Sequence, residues 1–174
     1  ARKELNTTED PPNSNRTKYG AWFGLNGERW CAIFVAWVFA QAGMDLRKLI
    51  GPGIEYTPTL AALGRKLGLE VTRDQIRAGD IALLRFSGRN RIHHVGICAE
   101  DGVKPGGLVV TIEGNTSAGV VGSQDNGGCV AQRVRPISSI ACVLRPPFEA
   151  CTPTAPPPVF TEPQKVDLAL IAAA

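Results

Sequence analysis

A chain of 174 residues has the length of one ordinary domain with an appendage, and at 44% hydrophobic residues it can bury a core. Its net charge of +3 suits a mild attraction to anionic polymers such as a cell wall. It is too small to argue for nucleic acid, and no block of Lys and Arg with interleaved aromatics adds to it.

Ala1 to Asp10 is polar and charged and carries no signal-peptide pattern. Ala1 to Asn6 reads as the end of a helix. Thr7 to Asn15 reads as loop, because Pro11-Pro12-Asn13-Ser14-Asn15 cannot continue one. Tyr19, Trp22 and Phe23 then fall between glycines, where they either line a substrate groove or pack on the helix that follows. That helix is expected from Cys31 to about Ala42, with Gly43 at its C-terminal cap. Cys31, Phe34, Val35, Val38 and Ala42 share one face, and the opposite side is also apolar, so the helix should be buried nearly all round. Cys31 to Ala40 is the longest apolar run and falls short of the roughly 18 residues of a membrane span. Thr57-Pro58 opens a second helix, with Thr57 as N-cap and Gly68 past the end.

After Gly68 the pattern changes to short β-like runs: Asp80 to Phe86, His94 to Ala99, Leu108 to Glu113, Val130 to Val134 and Ile140 to Leu144. Helices followed by about five strands in an antiparallel meander make an α+β domain. We place this domain at residues 1–148. Pro153, Pro156, Pro157, Pro158 and Pro163 then mark an extended linker over 149–165. Residues 166–174 start a helix-like pattern, as of a truncated second domain or tail.

Five cysteines, Cys31, Cys98, Cys129, Cys142 and Cys151, are an odd count without the density of a disulfide-stapled module, which points to folding in a reducing compartment. A Cys129–Cys142 bridge stays open for the case that the two lie on neighbouring strands.

Cys31 falls in the first turn of its helix, where free N–H groups and the positive end of the dipole favour the thiolate a nucleophile requires. The plain alternative is a buried structural cysteine. A base for it must be His93 or His94, the two histidines of the chain. Strand alternation puts His94, Gly96 and Cys98 on one face and His93, Val95 and Ile97 on the other, so one histidine faces the Cys31 helix. Gly96 leaves room for a close approach beside His94, which favours His94 as general base. Thr111, Glu113 and Asn115 share a face if their strand continues that far. Either Glu113 or Asn115 can then accept the second ring N–H and fix the tautomer. Metal chemistry is not expected: there is no Cys-x-x-Cys, no His-x-x-x-His and no run of alternating acids for calcium. No Gly-rich phosphate loop follows a strand, and no cofactor is expected.

Four segments in order, Trp30-Cys31-Ala32 with Phe34-Val35-Ala36-Trp37, Ala78-Gly79-Asp80-Ile81, His94-Val95-Gly96-Ile97 and Ile112-Glu113-Gly114-Asn115, resemble the cysteine/histidine-dependent amidohydrolase/peptidase domain, CHAP. The lead-in Asn15 to Trp22 resembles endolysins of phages that infect actinobacteria. The resemblance implies a papain-like α+β fold that hydrolyses peptidoglycan amide bonds. It implies Cys31 as nucleophile, His94 as base, Glu113 as the carboxylate that orients His94, and Asn115 as a further polar partner. The oxyanion hole is expected from the Cys31 N–H and one side-chain donor, Asn26 or Tyr19, with Trp22 in the groove. The acidic loop of the family's calcium-binding members is missing here. The implied protein is a monomeric phage-lysin endopeptidase, made in a host cytoplasm without a signal peptide, whose partner is the bacterial wall. An N-acetylmuramoyl-L-alanine amidase and a non-catalytic wall-binding module are the other readings.

Overall fold

The 11-residue helix Cys31–Gln41 is apolar on every side, and the chain wraps it accordingly: Cys31 through Ala36 and Phe39 are all buried. The computed structural model describes residues 1–119 and 121–148; the expected linker and second domain, and Cys151, lie outside the described residues. Four helices come first: α1 (Lys18–Phe23), α2 (Cys31–Gln41), α3 (Leu46–Leu49) and α4 (Thr57–Lys66). Six strands follow: β1 (Glu70–Val71), β2 (Ile81–Leu84), β3 (His94–Cys98), β4 (Leu108–Thr116), β5 (Cys129–Pro136) and β6 (Ile140–Leu144).

Helix α1 carries the three aromatics that fall between glycines, Tyr19, Trp22 and Phe23. Thr17 caps it, its hydroxyl accepting the Gly20 N–H at 3.1 Å. Tyr19 is carried against α2, with ring centroids 5.5 Å from Trp30, 5.2 Å from Phe34 and 5.0 Å from Trp37. Ala1 to Asn6 forms only a 3₁₀ turn, Arg2–Glu4. Helix α2 ends where expected, with Gly43 at φ +86° just past its cap residue Ala42. In α4 the N-cap is Tyr56 and not Thr57, whose hydroxyl donates to the Ile92 carbonyl at 3.3 Å.

The strands form one antiparallel sheet in the order β1-β6-β2-β3-β4-β5. The meander holds from β2 to β5. Strand β6 then returns across the sheet to pair with β2, and the two-residue β1, too short to leave a pattern in the sequence, pairs with β6. This separates Cys129 on β5 from Cys142 on β6 by three strands, so the bridge left open above does not form. The Cys129 thiol donates instead to the Thr116 carbonyl at 2.9 Å.

One face of the sheet, with Val95, Ile97 and Ile112, packs on α2 in the main core. Cys98, Val109 and Val143 of the other face form a small second cluster with Ile76. Near its end β4 bulges between Glu113 and Thr116. There Gly114 lies flat against α2, where a Cβ would come within 2.6 Å of Phe34 Cβ and 2.7 Å of the Trp30 ring. The bulge brings the end of β4 up to the first turn of α2.

Candidate active site

Cys31 is the first residue of α2, and Trp30 at the N-cap supplies no side-chain acceptor. The N–H groups of the first turn are therefore uncapped beside the thiol. Trp30 is turned the other way, its indole N–H donating to Glu9 Oε1 at 2.9 Å. The second oxygen of Glu9 accepts the Asn15 N–H at 3.0 Å, which ties the N-terminal segment to the start of α2. Cys31 lines a cleft of about 430 Å³ with Arg29, Tyr56, Arg89, His93 and Asp125 among its neighbours.

His94, the first residue of β3, is wholly buried. Its Nε2 meets Glu113 Oε2 at 2.9 Å. Its Nδ1 is buried without a hydrogen-bond partner, and the Cys31 thiol acts on the ring at close range. Burial works against a charged ring, but the Glu113 carboxylate and then the Cys31 thiol outweigh it and raise His94 to about 9. Because Nε2–H points at a carboxylate, Nδ1 is the atom free to exchange a proton with sulfur.

Glu113 is also wholly buried. Arg135 grips it with both prongs of the fork, Nε to Oε1 at 2.8 Å and Nη2 to Oε2 at 2.5 Å. The Thr111 hydroxyl donates to Oε1 at 2.6 Å. Burial pushes the Glu113 pKa up, but the Arg135 hydrogen bonds and then the His94 charge overcome it and hold the carboxyl at about 2. Gly96 makes the space: a Cβ there would sit 2.6 Å from Glu113 Cγ. The result is a row of thiol, imidazole, carboxylate and guanidinium, with the last three out of water.

The structure thus brings Cys31, His94 and Glu113 together, and it leaves the other expected site residues elsewhere. Asn115 sits in the bulge at φ +56°, which breaks the alternation that would have kept it beside Glu113. Its amide donates to Asn126 Oδ1 at 3.2 Å, and Glu113 alone takes the His94 ring N–H. Tyr19 is buried with its hydroxyl donating to Glu4 Oε2 at 2.7 Å. Asn26 Oδ1 accepts the Thr17 N–H at 2.9 Å and so helps to start α1. Trp22 packs on Phe23 and under the Arg47 guanidinium, 5.0 Å from its ring. None of these three lines the Cys31 cleft, because each is already engaged in folding the N-terminal segment.

His93 departs from the expectation that one histidine alone reaches the Cys31 side. It precedes the first residue of β3, where strand alternation no longer binds it, and its mostly buried ring lines the same cleft. Nδ1–H donates to the Arg91 carbonyl at 3.2 Å, and Nε2 lies 3.8 Å from Asp125 Oδ2. Burial lowers its pKa.

Sequence reasoning missed Arg135 and Phe86. Phe86 packs 5.9 Å from the His94 ring and 4.8 Å from the Arg135 guanidinium. Arg135 is four residues from Ala131, the register partner of Glu113, and so shares its face. The basic alternation in Gln132-Arg133-Val134-Arg135 was the visible signal, but both arginines share the Glu113 face, and only the contacts of Arg133 with the Ala118 and Gly119 carbonyls leave Arg135 as the one that reaches Glu113.

The family model described as CHAP domain matches residues 23–115, just over half of the chain, and this span holds Cys31, His94 and Glu113 but ends before Arg135. Among solved structures the chain is similar to the crystal structure of a wild-type endolysin, LysIME-EF1, at 26% identity with a TM-score of 0.37. The likeness covers 47% of this chain and 38% of that one, so the chain spans well under two thirds of the endolysin. Comparison with curated proteins gave no match.

Proposed function

The chain belongs to the CHAP domain family, and from that premise we propose that it hydrolyses amide bonds of bacterial peptidoglycan with Cys31 as nucleophile. The observation that carries this reading is the buried His94 ring, held by Glu113 on Nε2 and left without a hydrogen-bond partner on Nδ1, with the Cys31 thiol near enough to raise its pKa. His94 Nδ1 takes the thiol proton, and the sulfur attacks the amide carbonyl. The oxyanion forms beside the uncapped N–H groups at the start of α2, which stabilise it together with the helix dipole. The imidazolium, steadied by Glu113, gives its proton to the leaving amine. It then takes one from the water that releases the acyl group from sulfur, and the cycle closes with the Cys31–His94 pair and its shared proton restored.

The bond cut, in this proposal, is one between amino acids, an endopeptidase reading that rests on the likeness of Asn15 to Trp22 to phage endolysins. Residues 1–148 form the catalytic unit. Purified actinobacterial walls treated with the protein should expose new amines, and walls treated with Cys31→Ala should expose none. Identification of the residue that bears each new amine separates endopeptidase from muramoyl-alanine amidase. Equal release by Cys31→Ala would refute the nucleophile.

A further inference from the structure

The wall of the Cys31 cleft is rich in guanidinium groups. Arg29 lies two residues before the thiol, Arg89 and Arg91 come from the β2–β3 connection, and all three line the cleft. Two acids, Glu55 and Asp125, face them. Arg91 is occupied: Nη1 donates to the Tyr56 hydroxyl at 3.0 Å, and the guanidinium lies over the Tyr56 ring. Arg29 and Arg89 are not. Both reach for one oxygen, Asp125 Oδ2, at 3.5 and 3.4 Å, the outer limit of a hydrogen bond. The other oxygen of Asp125 accepts the Ser123 hydroxyl at 3.0 Å.

Asp125 is therefore too small an acceptor for what surrounds it. Each guanidinium carries five N–H donors in a fixed fork, and Asp125 engages one of each weakly. The two side chains remain 60% and 57% exposed, while that of Asp125 is only 12% exposed. A shared anion aims two cations in one direction and leaves most of their donors open to the cleft. The ligand that satisfies such a pair is planar, anionic and bidentate, which describes a carboxylate. A cleft of about 430 Å³ is about 7–8 Å across, the span of two extended residues.

We propose that Arg29 and Arg89 form a carboxylate-binding subsite, which selects stem peptides carrying a free carboxylate within about two residues of the amide presented to Cys31. This rests on the reading of the chain as a peptidoglycan amidohydrolase. It adds a preference that this reading does not contain: the acid form of the peptide over its carboxamide.

The test uses two muropeptides that differ only in that group, free carboxylate in one and primary carboxamide in the other. Binding is measured on the full chain carrying Cys31→Ala, and hydrolysis on the full chain with Cys31 intact. The acid form should bind about tenfold more tightly and show the same advantage in kcat/KM, through KM. Arg29→Gln with Arg89→Gln should bring both ratios to about one. Arg29→Lys with Arg89→Lys, which keeps charge but loses the fork, should retain part of the preference. Both arginines are more than half exposed, so these variants should fold, and melting curves check that. Hydrolysis of both peptides without discrimination overturns the subsite and leaves the catalytic reading standing. Discrimination in binding without hydrolysis upholds the subsite and removes the catalytic reading. Binding of neither peptide, or a preference that survives both glutamines, overturns the subsite.

Discussion

Arg135→Met tests the buried row at its last member. Arg135 is almost fully buried and Glu113 wholly so, and their two hydrogen bonds are the main influence that keeps the carboxyl ionised. Methionine fills similar space without charge. It leaves Glu113 with Thr111 and His94 alone, a buried charge short of its main partner, at a cost of about 3–5 kcal/mol. For a domain of this size that is about 6–20 °C in melting temperature. The pH dependence adds a sign. Glu113 is held at about 2, below its ordinary value of 4.5, so its stabilisation is present above pH 4.5 and lost as pH falls toward 2. Without Arg135 the folded-state value rises toward 4.5, so this acid loss of stability should shrink. Urea unfolding from pH 3 to 7, on the native chain, Arg135→Met, Glu113→Gln and the double variant, gives the coupling directly. The double variant should be clearly more stable than the sum of the singles implies, because a neutral amide in place of the carboxylate needs no cation. Additive singles, or an acid loss as large in Arg135→Met as in the native chain, would refute the reasoning.

Three further outcomes follow from the same geometry. His94 is raised to about 9, so its stabilisation is complete below pH 6.5 and is lost as pH rises through 9; an NMR titration of the ring with a midpoint near 6.5 would contradict this. Glu113→Gln should lower kcat/KM by about 10²-fold, since the ring loses its charged partner, and full activity in that variant would leave Glu113 no part in the site. Gly96→Ala puts a Cβ 2.6 Å from Glu113 Cγ and should cost about 1–3 kcal/mol in thermal unfolding together with most of the activity.

Much of this was legible in the sequence because it rests on local pattern. The all-apolar run after Cys31 could only be a buried helix, and Gly43 marked its end. Four of the six strands follow one another in the sheet as they do in the chain. What the sequence hid depends on pairing between distant segments. Strand β6 crosses the sheet to reach β2, and nothing local in Ile140 to Leu144 says so. Asn115 looked like a neighbour of Glu113 because alternation places it there, and the bulge at Gly114 undoes the alternation. Tyr19 and Asn26 looked free because their partners, Glu4 and the Thr17 N–H, are turn contacts without a pattern.

Arg135 also explains why this row of groups tolerates burial. With one proton shared between Cys31 and His94, the row of sulfur, imidazole, carboxylate and guanidinium sums to zero charge. Transfer of the thiol proton to His94 turns the row into alternating negative, positive, negative and positive charges, and the sum is still zero. Without the guanidinium the same residues would carry a net negative charge in a site where Glu113 and His94 have no contact with water. That charge would oppose the thiolate and then the oxyanion. The clamp on Glu113 thus sets the electrostatic background of the nucleophile two groups away. It does so from β5, beyond the span 23–115 that marks the family.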